Sequence, residues 1–304
     1  MNPYLERFLG DCETKGMTRH SIETYQSNVM EFLALYSRPQ EVTMDHLRFY
    51  LNKLRARNLA NATLKGYMSA VSSFYDFLVF EKEILFNPVL AFRKRYLDRL
   101  KNQPDTRQLI SIEEMRDLLR IAPHILHRAI LLILAKTGIR RGELHSIRIS
   151  DLDFQHRIIR ISKKAKRSNR IVFMDDELKR VLEEYLVWRG SIAKTDWLMI
   201  SNKGGRIHKD AYGEILAGLG EKLGLHIPQG PLDRKLTPHC FRHWFTTHLF
   251  RAGMTPLYIK FLRGDSLRTE SWMIYNRIDS ELVRAEYMRC MPQISGRHIS
   301  QTRL

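Results

Sequence analysis

Residues Thr237 to Tyr275 read TPHCFRHWFTTHLFRAGMTPLYIKFLRGDSLRTESWMIY, and the rest of the chain is organised around them. Thr237 followed by Pro238 marks a helix start. A threonine hydroxyl can accept from the free N–H groups of a first turn, and proline at the first helical position forfeits no hydrogen bond. From that start His239 and Arg242 fall three residues apart, on one helical face. Leu249, a break at Gly253, then Leu257, Phe261 and Leu262 predict two short helices packed together and carrying the chain on to Tyr275. A donor pair and a phenol are thereby expected within reach of one another. Alone, an H-x-x-R pair recurs by chance, and a lone tyrosine is more often a half-buried core residue than a nucleophile.

The bulk composition narrows the setting. A chain of 304 residues with 44% hydrophobic content can bury two cores. Lysine and arginine total 50 against 33 acidic residues, a formal charge of +17, and such an excess attracts a polyanion; nucleic acid is the expected partner. Cys12, Cys240 and Cys290 are an odd set without C-x-x-C spacing, which argues against a disulfide framework and a zinc ribbon. His239 and His243 stand at i and i+4, but without an H-E-x-x-H pattern or a further clustered ligand a metal site is the minority reading. The longest apolar run, Ala129 to Ala135, falls far short of the roughly 20 residues that span a bilayer, and the N-terminus has no apolar signal core. The expectation is a cytoplasmic protein without membrane contact.

From Pro3 to about Tyr96 the pattern is helical, with apolar residues at spacings of three and four. Leu5 and Phe8 belong to a first helix, and Ile22, Tyr25, Val29 and Phe32 to a second. Leu47, Leu51 and Leu54 follow Thr43 as cap in a third, and Leu64, Met68, Val71, Phe74, Tyr75 and Leu78 follow Asn61 as cap in a fourth. Residues 1–96 are therefore read as a small helical bundle. From Asn87-Pro88 the chain turns basic and weakly periodic, with Arg93, Lys94 and Arg95 as candidate phosphate contacts. Residues 97–110 are read as a basic linker and 111–304 as a second domain, opened by a capping box from Ser111 to Glu114.

In that second domain Arg128 to Lys136 is the most apolar helix, and it ends at Gly138. Arg140 follows at once. An arginine at the end of a buried helix is costly unless an anion meets it, either Glu143 or a DNA phosphate. Ile158–Ile161 and Ile171–Met174 are β-prone runs around a basic tip, and residues 157–170 hold seven Lys or Arg and no acid. Lys163, Lys164, Lys166, Arg167 and Arg170 are accordingly candidate DNA contacts. Arg206, His208 and Lys209 lie in a glycine-containing connection and receive no specific role. A tail helix runs from Ser280 to Met291, with Leu282, Val283, Tyr287 and Met288 on an apolar side that can fold back on its own domain.

The Thr237–Tyr275 stretch, TGIRRGEL at Thr137–Leu144 and the lysine-rich segment after Ile161 together resemble the tyrosine recombinase (phage integrase) family over the whole catalytic half. GMTRHSIETYQSNVMEFL and ANATLKGYMSAVSSFYDFLV, at 16–33 and 60–79, extend the resemblance to the first half. It implies a mainly α fold with a small β-sheet hairpin: an N-terminal four-helix SAM-like core-binding domain that grips DNA, then an α+β catalytic domain. Lys53, Arg55, Arg57 and Lys65 become phosphate contacts. Arg140 maps onto the first catalytic arginine with Glu143 as its support, and Lys166 onto the general acid, with Lys164 and Lys163 as alternatives. His239 and Arg242 follow, and Tyr275 is the nucleophile.

The family carries histidine or tryptophan after the glycine of an L-x-G-H segment, whereas this chain reads LRGD. Asp265 thus takes the position without the proton, leaving Arg263 or another group to supply a donor. The LRGDS form with KRSNR is similar to integrases of archaeal viruses and plasmids. The implied activity is site-specific recombination through a 3′-phosphotyrosyl link and a Holliday junction, without cofactor. The implied partners are double-stranded DNA bearing recombination sites and further copies of the chain. These would form a homo-tetramer on two synapsed sites, with tail helices docked on neighbouring protomers, and a monomer or weak dimer when free. An integrase of a mobile element leads, with a chromosome- or plasmid-dimer resolvase, a type IB topoisomerase and a catalytically silent DNA-binding protein as alternatives.

Overall fold

The computed structural model describes residues 2–98, 107–162, 170–265 and 278–294. The chain divides into two units, Met1–Asp105 and Thr106–Leu304.

The first unit is helical. Its elements are α1 (Pro3–Thr14), α2 (Arg19–Leu35), α3 (Met44–Ala56), α4 (Asn61–Phe80) and α5 (Pro88–Tyr96). Asn2, Thr18 and Thr43 accept N–H groups of the first turns of α1, α2 and α3, which satisfies donors that a helix start leaves unpaired. The periodic positions of the four expected helices, among them Phe8, Phe32, Leu51 and Phe74, form one buried cluster.

One expectation is corrected here. Asn61 is the first residue of α4 rather than its cap, and the preceding Ala60 makes no side-chain bond. The basic, weakly periodic stretch from Asn87-Pro88 is a fifth helix. Asn87 accepts the Val89 N–H at 2.8 Å and donates to the Ser72 carbonyl at 2.9 Å, while Val89 and Phe92 are buried. Two apolar anchors among basic residues give little periodicity, so only packing against α4 reveals the helix. Arg93, Lys94 and Arg95 lie in its last turn, where the carbonyl end of a helix favours cations; Lys94 and Arg95 are exposed. Arg57 pairs with Glu31 at 2.8 Å and lies over the Tyr67 ring.

The second unit is built around α7 (Ile125–Thr137), preceded by α6 (Ile112–Ile121). Ser111 and Glu114 close the capping box on α6, the Glu114 N–H donating to Ser111 Oγ at 3.0 Å and the Ser111 N–H to Glu114 Oε2 at 2.7 Å. Every residue of α7 from Ala129 to Thr137 is buried. A helix that is apolar all round has to be covered on all sides. Beyond α7 come α8 (Arg141–Leu144), β1 (Leu152–Asp153), β2 (Ile158–Ile161), β3 (Arg170–Phe173) and α9 (Asp176–Gly190). The chain continues through α10 (Ala211–Lys222), α11 (Pro238–Arg251), α12 (Pro256–Arg263) and α13 (Ser280–Cys290). Helices α9 and α11 pack on α7. The strands form an antiparallel sheet in the order β1-β2-β3, with Ile159 opposite Val172 and Ile161 opposite Arg170. Among the described residues no helix is long and apolar enough to cross a membrane.

The tail folds onto its own unit. Val283, Tyr287, Cys290, Met291 and Ile294 join the core cluster, and Tyr287 donates to the Lys136 carbonyl at 2.9 Å. Lys136 itself is fully buried at the end of α7. Its ammonium meets Asp175 Oδ2 at 2.6 Å, Glu177, and the Pro292 carbonyl at 2.6 Å, while the Ile294 N–H donates to Glu177. One buried charge thus joins α7, the start of α9 and the tail. Lys136→Met is expected to strand two buried carboxylates and cost on the order of 3 kcal/mol of stability, read from the urea midpoint of the second unit. A shift below about 0.5 kcal/mol would count against the tie.

Candidate active site

The end of α7 sets the site. Gly138 turns the chain in the left-handed region, φ +59°, and a side chain there would meet the Phe245 ring of α11 at 2.5 Å. This close approach brings the Gly138 carbonyl to Arg242, whose Nη1 donates to it at 2.7 Å. Two residues on, the Arg140 N–H donates to Glu143 Oε2 at 2.8 Å and opens α8. His239, three residues before Arg242 on α11, is exposed. Arg140, His239 and Arg242 line one cleft of about 600 Å³, with Arg107, Arg141 and Lys209 also in its walls.

The charge inside is unusual. Arg242 is almost fully buried, its side chain 3% exposed. Burial, then the fields of Arg140 and Arg263, pull its guanidinium down to about 9, against the opposing pull of Asp265 and Glu143. Its Nη2 donates to Asp265 Oδ1 at 2.6 Å, and Arg140 Nη2 donates to the same oxygen at 2.9 Å. Arg263 Nε lies 3.0 Å from Asp265 Oδ2. Arg140 also donates to the Arg263 carbonyl at 3.1 Å.

Arg170 requires a correction. Read as a DNA contact beside the basic hairpin tip, it is buried, 6% exposed, and its guanidinium is engaged inside the protein. Nη1 and Nη2 donate to the two oxygens of Glu143, each at 3.0 Å, and Nε donates to the Leu262 carbonyl at 2.8 Å. Glu143 therefore supports Arg140 less by direct pairing, 3.6 Å between charged atoms, than by anchoring the turn to β3. Such two-pronged pairing aligns both partners. Arg170 is the functional residue that the linear pattern misassigned. In the sequence it directly precedes the second β-prone run, and only the folded sheet sets it opposite Ile161.

Burial alone would raise the Glu143 carboxyl. The Arg170 hydrogen bonds, the Arg140 N–H and the fields of both guanidinia outweigh burial and hold it below the usual glutamate value. With a folded value below the unfolded one, its contribution is fully present above the unfolded value and is lost as pH falls through the folded one. Removing the arginine reverses the balance. Arg170→Met is expected to lose about 3 kcal/mol at neutral pH, and the deficit to shrink as the pH falls through the carboxylate range and the stranded acid takes up a proton. Urea midpoints against pH measure this; a pH-independent deficit would contradict it.

Lys163, Lys164, Lys166, Arg167 and Tyr275 lie outside the described residues. Arg93, Lys94 and Arg95 belong to the first unit.

Comparison with known proteins gives the family of the chain that carries this cleft. The model of the phage integrase family matches residues 108–281, and that of its N-terminal SAM-like domain residues 5–82. The chain belongs to the phage integrase family. As a tyrosine recombinase it is an enzyme of DNA strand cleavage and religation. It is 26% identical over 293 residues to tyrosine recombinase XerC of Anoxybacillus flavithermus (strain DSM 21510 / WK1), covering 92% of this chain and 94% of that one. XerC of Listeria innocua serovar 6a is 27% identical over 306 residues, covering 95% and 97%. Among solved structures, the Tn1549 transposon integrase in complex with transposon right end DNA matches with a TM-score of 0.71 at 21% identity, covering 94% of this chain and 98% of that one. The lambda integrase tetramer bound to a Holliday junction matches at 0.68 and 17%, covering 91% and 79%. Both have the fold of this phage integrase family member, helical first half included.

Proposed function

We propose that this integrase-family enzyme is a site-specific recombinase that exchanges DNA strands through a 3′-phosphotyrosyl intermediate. The observation that carries the reading is the convergence of Arg140, Arg242 and His239 on one cleft with cationic walls. A phosphodiester resists attack because charge accumulates on its non-bridging oxygens, and two planar guanidinia can each meet that charge with parallel hydrogen bonds. Tyr275 Oη attacks phosphorus, the bond from phosphorus to the 5′-oxygen breaks, and the 5′-hydroxyl leaves with a proton from Lys166. His239 accepts the tyrosine proton or donates a hydrogen bond to the phosphate. One ester replaces another, so the step needs no ATP. A partner strand's 5′-hydroxyl reverses it, and two such exchanges resolve through a Holliday junction.

The protein acts on double-stranded DNA in the cytoplasm, as a homo-tetramer on two synapsed sites. Its natural task is integration or excision of a mobile element. The XerC relatives, matched over nearly their whole length, support a second reading, resolution of chromosome or plasmid dimers.

The test is to incubate the purified chain with fragmented genomic and mobile-element DNA in EDTA, denature in SDS, and isolate covalent protein–DNA adducts. Adducts are expected, with the linked peptide containing Tyr275 and the trapped fragments sharing one sequence. Tight binding without adducts, even on nicked duplexes that prevent religation, would sink the enzymatic reading in favour of a silent DNA-binding protein.

A further inference from the structure

We propose that Asp265 is a positioning residue: its carboxylate sets the spacing and orientation of Arg140 and Arg242, so that both guanidinia meet one phosphate. The inference rests on the recombinase reading for the identity of that phosphate. It rests on geometry for the rest.

A single oxygen, Oδ1, accepts from Nη2 of Arg242 at 2.6 Å and from Nη2 of Arg140 at 2.9 Å. An acceptor shared by two rigid forks holds their tips at a separation set by that one atom. The two arginines come from elements 102 positions apart in the chain (242 − 140), and the Gly138 carbonyl is the other anchor for Arg242. Among the described residues the charged groups beside Asp265 are the guanidinia of Arg140, Arg242 and Arg263, the last with Nε 3.0 Å from Oδ2. The carboxylate therefore receives hydrogen bonds here and supplies none. It does not replace the donor of related chains.

Asp265 is held where it stands. Its N–H donates to the Lys260 carbonyl at 3.1 Å, and Gly264 before it takes φ +63° at the end of α12. A side chain at Gly264 would fall 2.5 Å from Arg170 Nη1. The same Arg170 that orients Glu143 beside Arg140 thus borders the turn that delivers Asp265. Asp265 is not among the residues lining the cleft, while Arg140 and Arg242 are. The carboxylate and a phosphate in the cleft accordingly approach the guanidinia from different sides and can be bound together. Four guanidinia, of Arg140, Arg170, Arg242 and Arg263, stand against the carboxylates of Glu143 and Asp265, so the cluster keeps a positive excess for a phosphate.

The experiment compares the full-length wild type with Asp265→Ala and Asp265→Asn on a nicked duplex carrying the sequence recovered by trapping. The single-turnover rate of adduct formation and the Kd for the duplex are measured separately, with and without sodium formate. Asp265→Ala is expected to slow the reaction roughly 10- to 100-fold, the usual penalty for misplaced catalytic groups, with Kd changed less than about threefold. Asparagine, which keeps an acceptor oxygen, should fall between the two. Formate, a free carboxylate, should restore part of the rate in the alanine variant and none in wild type.

An alanine variant as fast as wild type or faster would overturn the proposal, and would make Asp265 a competitor of the phosphate. A loss of rate matched by an equal loss of binding, unmoved by formate, would overturn it as well. If wild type forms no adduct, the recombinase reading fails. The positioning is then read from thermal melting in formate against chloride at equal ionic strength. A stabilisation by formate confined to the alanine variant supports it, and equal melting in both salts overturns it.

Discussion

Arg242→Ala should lower the rate of covalent adduct formation about a thousandfold, the upper end of what removal of one preorganised donor costs. The reason lies in where the side chain sits. Its guanidinium is buried between the Gly138 carbonyl and Asp265, in a position that solvent cannot refill with an equivalent charge. Arg242→Lys should recover little, because an ammonium is a point charge and cannot reach both anchors and a phosphate with one planar fork. Single-turnover adduct formation on a nicked duplex measures the effect, with duplex affinity as the control. Truncation also leaves Asp265 with Arg140 and Arg263, so the carboxylate stays paired and the variant should fold. A rate within about threefold of wild type would remove Arg242 from the reaction.

Tyr275→Phe should abolish the adduct while leaving duplex affinity unchanged, since the substitution deletes one oxygen and no positive charge. The second unit contains five tyrosines: Tyr185, Tyr212, Tyr258, Tyr275 and Tyr287. Tyr185, Tyr212 and Tyr287 are fully buried. Tyr185 donates to the Leu198 carbonyl, and burial pushes its phenol up to about 12. Tyr287 is tied to the Lys136 carbonyl, and burial pushes its phenol well up. A phenol in that state is a poor nucleophile out of reach of a duplex. Tyr258 is half-buried and packs on the core from α12. Tyr275, the nucleophile of the proposed reaction, lies outside the described residues and stands ten positions after Asp265. Adduct formation by Tyr275→Phe at the wild-type rate would overturn the assignment, and peptide mapping of the link would name the true nucleophile.

The Lys136 cluster bears on how copies of the chain assemble. The resemblance to recombinases implies a tail helix docked on a neighbouring protomer; in the single chain α13 buries Val283, Tyr287 and Cys290 in its own unit and the following Ile294 is anchored to Glu177. The apolar face of a helix reads the same whether its groove belongs to its own chain or to another. Sequence periodicity identified the face of α13 and could not identify its partner.

The linear pattern of residues was enough for local features. Periods of three and four placed most of the helices, Thr43 and Ser111 marked starts where their side chains cap, and the β-prone runs on either side of the basic tip became β2 and β3. His239 and Arg242 share a cleft because three residues on a helix amount to nearly one turn, which holds in any fold. Tertiary structure decided which charges are buried and what they meet. Arg170 belongs to a run of cations that reads as a DNA-facing surface, yet its pleat position turns it inward to Glu143. Lys136 closes an apolar helix and meets two acids 39 and 41 positions later. Asp265 meets Arg140 across 125 positions. An ion pair requires two groups within a few ångströms, and separation along the chain does not set that distance once helices and strands have packed. A charged residue read alone is assigned to solvent because burying it unpaired is costly, and only the fold supplies the partner that removes the cost.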